Sequence, residues 1–162
     1  MSIKRVLHAV LTTTAGLVFL ALGAHPAAAA TDLVEDCSDD NYVLRVKEIA
    51  VTPPFPEPGK PFRWEITGKL REPIDLHRST ADVKVRRGVT TLVSAKVSLH
   101  DALTYGGMNP PDTLGKGRVT MAGEVELPDE VAQGVYRLSL RAWDEDKQNL
   151  ACLKARVDMR RP

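Results

Sequence analysis

W-D-E-D-K-Q-N-L-A-C-L-K-A-R-V-D-M, Trp143 to Met159, joins two runs of alternating polarity through a polar turn, Asp144 to Asn149. Alternation with period two marks a half-buried strand, so the stretch reads as the second half of a β-hairpin. Ala151, Leu153, Ala155, Val157 and Met159 take one face, and Cys152, Lys154, Arg156 and Asp158 the other. Cys152 is one of two cysteines, and the second, Cys37, lies in E-D-C-S near the start of the folded part. A bond between them would tie the last strand to the first segment and make everything between one closed unit. In the chain-entropy model a loop of ~100 residues contributes about 4–5 kcal/mol. Two free thiols are the alternative, and spacing alone does not exclude it. No C-x-x-C is present, which points away from redox catalysis and zinc knuckles.

Residues 1–30 stand apart. Lys4 and Arg5 precede an apolar stretch, and A-x-A ends at Ala30, the pattern of a cleaved secretory signal peptide. The expected localisation is therefore secreted, in an oxidising compartment where a disulfide persists. Removal of 1–30 leaves one domain, 31–162, with enough chain for a substantial core. Without Lys4 and Arg5 the 22 basic residues fall to 20, against 21 acidic ones, a charge near −1. No block of like charge stands out. That balance argues against a nucleic-acid partner and gives no support to strong electrostatic docking on anionic membranes.

The alternation recurs along the chain. Leu44 and Val46 differ in parity from Ile49 and Val51, so the first strand needs a bulge or a change of sheet to bury both pairs. A proline-rich connection follows from Pro53 to Pro61. Phe62, Trp64, Ile66 and Leu70 then alternate with Arg63, Glu65, Thr67 and Lys69. Leu70 to Thr80 reads as polar connection. Ala81, Val83 and Val85 form a strand, Gly88 a turn, and Val89 to Leu99 another alternating run. His100 to Gly117 is the longest irregular stretch, of the length that usually carries function. Val119 to Leu127 is a strand, and Asp129 to Gln133 a connection with room for one helical turn. Tyr136, Leu138, Leu140 and Ala142 begin the closing hairpin. About seven strands without a long helical pattern predict an all-β fold, an immunoglobulin-like antiparallel sandwich of two sheets.

Catalysis finds no support in these residues. No nucleophile motif occurs, and beyond residue 30 only His77 and His100 are available as bases. Ligand clusters at zinc spacing are missing, and no cofactor is implied. A calcium loop starting at Asp144 would need Gly at its sixth position and Glu at its twelfth, where Asn149 and Ala155 stand, so Asp144 and Asp146 read as solvated turn residues. The interior, rich in Val, Leu, Ala and Met, fits either a close-packed core or an inter-sheet apolar cavity.

A set of segments resembles the ML domain, the MD-2-related lipid-recognition family. It is most similar to the phosphatidylglycerol/phosphatidylinositol transfer and Niemann-Pick C2-like branches. The set is D-C-S at Asp36, P-P-F-P-E-P-G-K at Pro53, F-R-W-E-I-T-G at Phe62, A-D-V-K-V at Ala81, V-E-L-P ending at Pro128, G-V-Y-R-L at Gly134, and W-D-E-D-K-Q-N-L-A-C-L at Trp143. The resemblance implies a secreted, non-enzymatic carrier, a monomer that holds one phospholipid or sterol-like ligand between its sheets and touches membranes transiently. It matches the first and last family cysteines with Cys37 and Cys152. The expected lipid-binding walls are Trp64, Ile66, Val83, Val85, Val97, Met121, Leu138, Leu140, Leu153 and Val157, with Tyr105 and Met108 on a gating loop. His100 and Asn109 stand where relatives carry a further cysteine pair, which implies an unpinned loop. The competing reading is a secreted immunoglobulin-like interaction module with a filled core, its binding patch around Trp143.

Overall fold

The computed structural model describes residues 33–159, so the expected signal peptide over 1–30 lies outside the described residues. Seven long strands build two antiparallel sheets. The larger has the order β1 (Val34–Asp36), β10 (Asn149–Asp158), β9 (Val135–Trp143), β5 (Thr80–Arg87) and β6 (Thr90–Ser98). The smaller has β2 (Leu44–Thr52), β3 (Pro61–Leu70) and β8 (Gly117–Glu126). Two short strands, β4 (Ile74–Asp75) and β7 (Thr113–Leu114), pair separately, and one helix, α1 (Leu99–Tyr105), follows β6. The fold is an all-β, immunoglobulin-like sandwich. Among the described residues no helix is long and apolar enough to cross a membrane.

The parity change in β2 is a bulge. Val46 pairs with Gly68 and Glu48 with Thr67, which leaves Lys47 as the extra residue. Beyond it, Ile49 and Val51 pair with Ile66 and Trp64, so Leu44, Val46, Ile49 and Val51 all point to the same side as the inner face of β3. A second irregularity, between Val85 and Arg86, makes Leu92 the extra residue of β6. Val97, Ala95 and Val93 therefore share the inner face, whereas Thr91 falls opposite Arg86 on the outer one. The continuous alternation expected from Val89 to Leu99 stops at this bulge, and Val89 is fully solvated in the β5–β6 turn.

Cys37 and Cys152 are bonded, with their Cα atoms 4.9 Å apart. The D-C-S segment shows why it fits there. Asp36 accepts from the Ser38 amide (2.9 Å), Ser38 Oγ accepts from the Cys152 amide (2.9 Å), and the Cys37 amide donates to the Cys152 carbonyl (2.8 Å). Ala151 and Leu153 point inward, so Cys152 lies on the outer side of β10, where the 36–38 segment buries it.

Four local expectations are corrected. Leu70 to Thr80 is not merely polar connection: Ile74, Leu76 and Ser79 are buried, and Leu76 is among the most enclosed side chains. Its polar neighbours turn the chain, with Asp75 accepting from the amides of His77 and Arg78. The 100–117 stretch opens as a helix. Ser98 caps it by accepting from the Asp101 amide (3.0 Å), and Leu99, Ala102 and Leu103 present its apolar stripe to the core. Asp144 is buried, not solvated. Its carboxylate accepts from the Gln148 amide (2.7 Å) and so shapes the closing turn, where Lys147 takes a positive φ of 62°. Asp129 to Gln133 forms no helical turn.

Candidate functional site

Strand register arranges the inner face of the large sheet in rows. The first is Val97–Ala81–Ala142–Ala151, the second Ala95–Val83–Leu140–Leu153, the third Val93–Val85–Leu138–Ala155, and the fourth ends the wall with Arg87, Tyr136 and Val157. The facing sheet contributes Val46–Gly68–Val119, then Ile49–Ile66–Met121, then Val51–Trp64–Gly123, then Phe62–Val125. On the large sheet exposure rises from the first row to the third, whereas on the facing sheet Val51 and Gly123 of the third row stay buried. Ala81 is 0% exposed and Ala142 2%, the second row is half-buried, and in the third Leu138 reaches 38% and Val93 44%. The first end is sealed by Leu70, Ile74, Leu76, Leu99 and Leu150, all buried. The sheets thus close tightly at one end and leave apolar inner positions open to solvent at the other.

The expected wall residues divide along that gradient. Ile66 and Met121 belong to the buried cluster, and Trp64, Val83, Leu140 and Leu153 pack against it. Val85, Val97, Leu138 and Val157 stand outside the cluster. Val85, Leu138 and Val157 occupy the open rows, while Val97 sits at the β6 edge of the first row. Two grooves of about 460 and 370 Å³ lie elsewhere, lined chiefly by outward-facing residues of β5, β9 and β10 such as Lys84, Ser139 and Lys154. Leu138 and Ala155, which take the inner parity, also border the first of these grooves.

The segment expected to be unpinned is held at several points. Trp64 Nε1 donates to the Gly106 carbonyl (2.6 Å), and the Glu124 amide donates to the Gly107 carbonyl (3.4 Å). The fit requires glycines. A Cβ at Gly123 would sit 2.3 Å from the Gly106 oxygen, and one at Gly107 1.8 Å from the Glu124 oxygen. Met108 packs on the core, whereas Tyr105 is 80% exposed. Trp64 is therefore an anchor for the α1 segment, packed against the core. The Ser98 cap, with apolar residues three and four positions apart after it, was the signal of this helix in the sequence.

His77 and His100 meet, although 23 positions separate them, and Asp112 joins them with all three potential ligand atoms within 4.8 Å. The sequence spacing concealed this group. Backbone bonds fix it: the Leu76 amide donates to the Asp112 carbonyl and the His100 amide to the Leu76 carbonyl, both at 2.9 Å. His77 Nε2 and Asp112 Oδ1 are 3.0 Å apart, and the imidazoles stack with centroids 4.0 Å apart and planes 21° from parallel. A metal binds near the plane of each imidazole ring. Two nearly parallel rings stacked with centroids 4.0 Å apart do not aim their nitrogens at one point, so this arrangement is a stacked, hydrogen-bonded pair that clasps the turn before β5 to α1.

Comparison with known proteins agrees with this architecture. The ML-domain family model matches residues 32–159. A phosphatidylglycerol/phosphatidylinositol transfer protein of Aspergillus oryzae is 30% identical over 123 residues, covering 75% of this chain and 69% of its own length. The protein of that name in Neurospora crassa is 27% identical over 126 residues, covering 78% and 68%. Among solved structures, a Niemann-Pick type C2 protein from Japanese carpenter ant superposes with a TM-score of 0.53 at 12% identity, covering 78% of this chain and 98% of that one. On the family match over nearly the whole described chain, this protein belongs to the ML-domain family.

Proposed function

We propose that this protein is an exported lipid carrier that lodges one phospholipid or sterol-like molecule between its sheets and moves it between membranes. The observation that carries the reading is the exposure gradient. Leu138 and Val93 share the inner parity of the large sheet yet remain open to solvent, whereas Leu70, Leu76 and Leu99 are buried at the other end. Burying an acyl chain at the open end gains ~25 cal/mol per Å² of apolar surface removed from water. Lodging a chain there would require the sheets to part at that end. The names of the curated relatives, transfer proteins for phosphatidylglycerol and phosphatidylinositol, support a phospholipid cargo. Arg87 and Tyr136 in the outermost row place polar groups where a headgroup would emerge. The disulfide supports export.

Native mass spectrometry of the purified protein after incubation with mixed phospholipid and sterol vesicles tests this directly. A one-to-one lipid adduct is the expected result. Repeated failure to load either lipid class would leave the filled-core interaction module as the better description.

A further inference from the structure

Register brings together cations that the sequence scatters. On the outer face of the large sheet Arg86 pairs with Arg137 and Arg137 with Arg156, a row of three guanidinium groups across β5, β9 and β10. The next row places Lys84 and Lys154 on either side of Ser139. All five cations are exposed, and they line the groove of about 460 Å³. Like charges directly opposite one another weaken a sheet. Among the described residues none of the five forms an ion pair with a carboxylate, although Glu35 also lines the groove. The acidic residues on this face lie around the edge. Glu35 pairs in register with Lys154, Asp82 lies opposite Arg141 and Lys96, and Asp158 follows Arg156 at the end of β10.

The outer face of the other sheet also carries a cation row, Arg45–Lys69–Arg118, but Glu48, Glu65, Glu124 and Glu126 share that face with it. Arg63 pairs with Glu65 and lies opposite Glu124, and Arg45 is bonded to Asp40. A chain with almost no net charge thus carries its larger excess of cations on the large sheet, which the composition did not reveal.

We infer that the β5–β9–β10 outer face is a docking surface for anionic phospholipid bilayers, with the Arg86–Arg137–Arg156 row as its centre. The inference rests on the carrier reading to the extent that a carrier must meet membranes. A flat array of exposed guanidinium groups suits a sheet of phosphodiesters, since each fork can engage phosphate oxygens without a deep pocket. Attraction of this kind falls with salt over a Debye length of ~8 Å at physiological ionic strength.

Co-sedimentation tests it with vesicles of phosphatidylcholine alone and of phosphatidylcholine mixed equally with phosphatidylglycerol. The protein should pellet with the anionic vesicles, not the neutral ones, and raised salt should release it. The triple variant R86Q/R137Q/R156Q should lose ~100-fold in vesicle binding at low salt. The charge-matched variant R45Q/K69Q/R118Q on the opposite face should stay within ~3-fold of the parent. The first variant should melt no lower than the parent, because it relieves repulsion. Equal loss in both variants would overturn the inference, as would binding of heparin or inorganic phosphate through the three arginines without vesicle binding. Lipid uptake is read separately by native mass spectrometry. Uptake kept by R86Q/R137Q/R156Q while vesicle binding is lost supports the docking face. A parent that docks but never takes up lipid refutes the carrier reading alone.

Discussion

Trp64 and Gly106 are joined by a 2.6 Å hydrogen bond from the indole Nε1 to the glycine carbonyl, which ties the end of α1 to the middle of β3. The indole lies across Gly123 of β8, so one contact holds helix, β3 and β8 together. Trp64→Phe keeps most of the ring but removes the donor and leaves the carbonyl partly buried. A loss of about 1–3 kcal/mol is expected from urea unfolding. Gly123→Ala should cost a similar or larger amount by pushing the segment off the sheet. Unchanged stability in both would show that the segment is not anchored there.

The bulge at Lys47 makes a sharper prediction. Deleting Lys47 would remove the extra residue that lets Leu44 and Val46 share a face with Ile49 and Val51. One pair would turn to solvent, exposing side chains worth about 1.5–3 kcal/mol each when buried. The deletion variant should fail to give a cooperative melting transition by circular dichroism, whereas a Lys47→Ala variant should melt within a few degrees of the parent.

The disulfide lies on the outer side of β10 and closes a sequence separation of 115 residues. Replacing both cysteines by serine should cost about 2–5 kcal/mol. Lipid preference should not change, because neither cysteine faces the cleft. A changed preference at unchanged melting temperature would place the bond in the wrong part of the account.

Closed and open ends should respond oppositely. Leu76→Ala removes a fully buried side chain and should cost about 2–5 kcal/mol. Leu138→Asp, at a position already 38% exposed, should cost little stability. It should nonetheless reduce lipid uptake at least about ten-fold, since a carboxylate facing acyl carbon loses its water. Comparable melting losses with no effect of Leu138→Asp on uptake would argue against a cleft at the open end.

Much of this architecture was legible because period-two alternation survives wherever one face is buried. Phe62, Trp64, Ile66 and Leu70 marked β3, and the broken parity of Leu44 to Val51 marked a bulge or a change of sheet, of which the bulge is the one present. The failures have physical causes. Ile74 and Leu76 are core residues on a two-residue strand, too short to show a period. Leu92 adds a residue to an edge strand, so the valines and threonines around it lost their common face. Asp144 looked solvated because its buried position depends on a turn that its own carboxylate organises. The basic row and the His77–His100 stack arise from register and tertiary approach, which a linear reading does not contain. Of the expected wall, Ile66 and Met121 lie in the packed core, while Leu138 and Val85 mark the open part of the cleft.

The central claim is that a lipid chain lies between the sheets at the open end. A phosphatidylglycerol with a photoactivatable diazirine on its acyl chain, loaded, irradiated and mapped by peptide mass spectrometry, tests it most directly. The account predicts labels on inward positions of the open rows, Val85, Val93, Leu138 and Val157, with Phe62 or Val125 opposite. Labels confined to outward positions such as Ser139 and Lys154, from a protein that demonstrably carries the lipid, would contradict it.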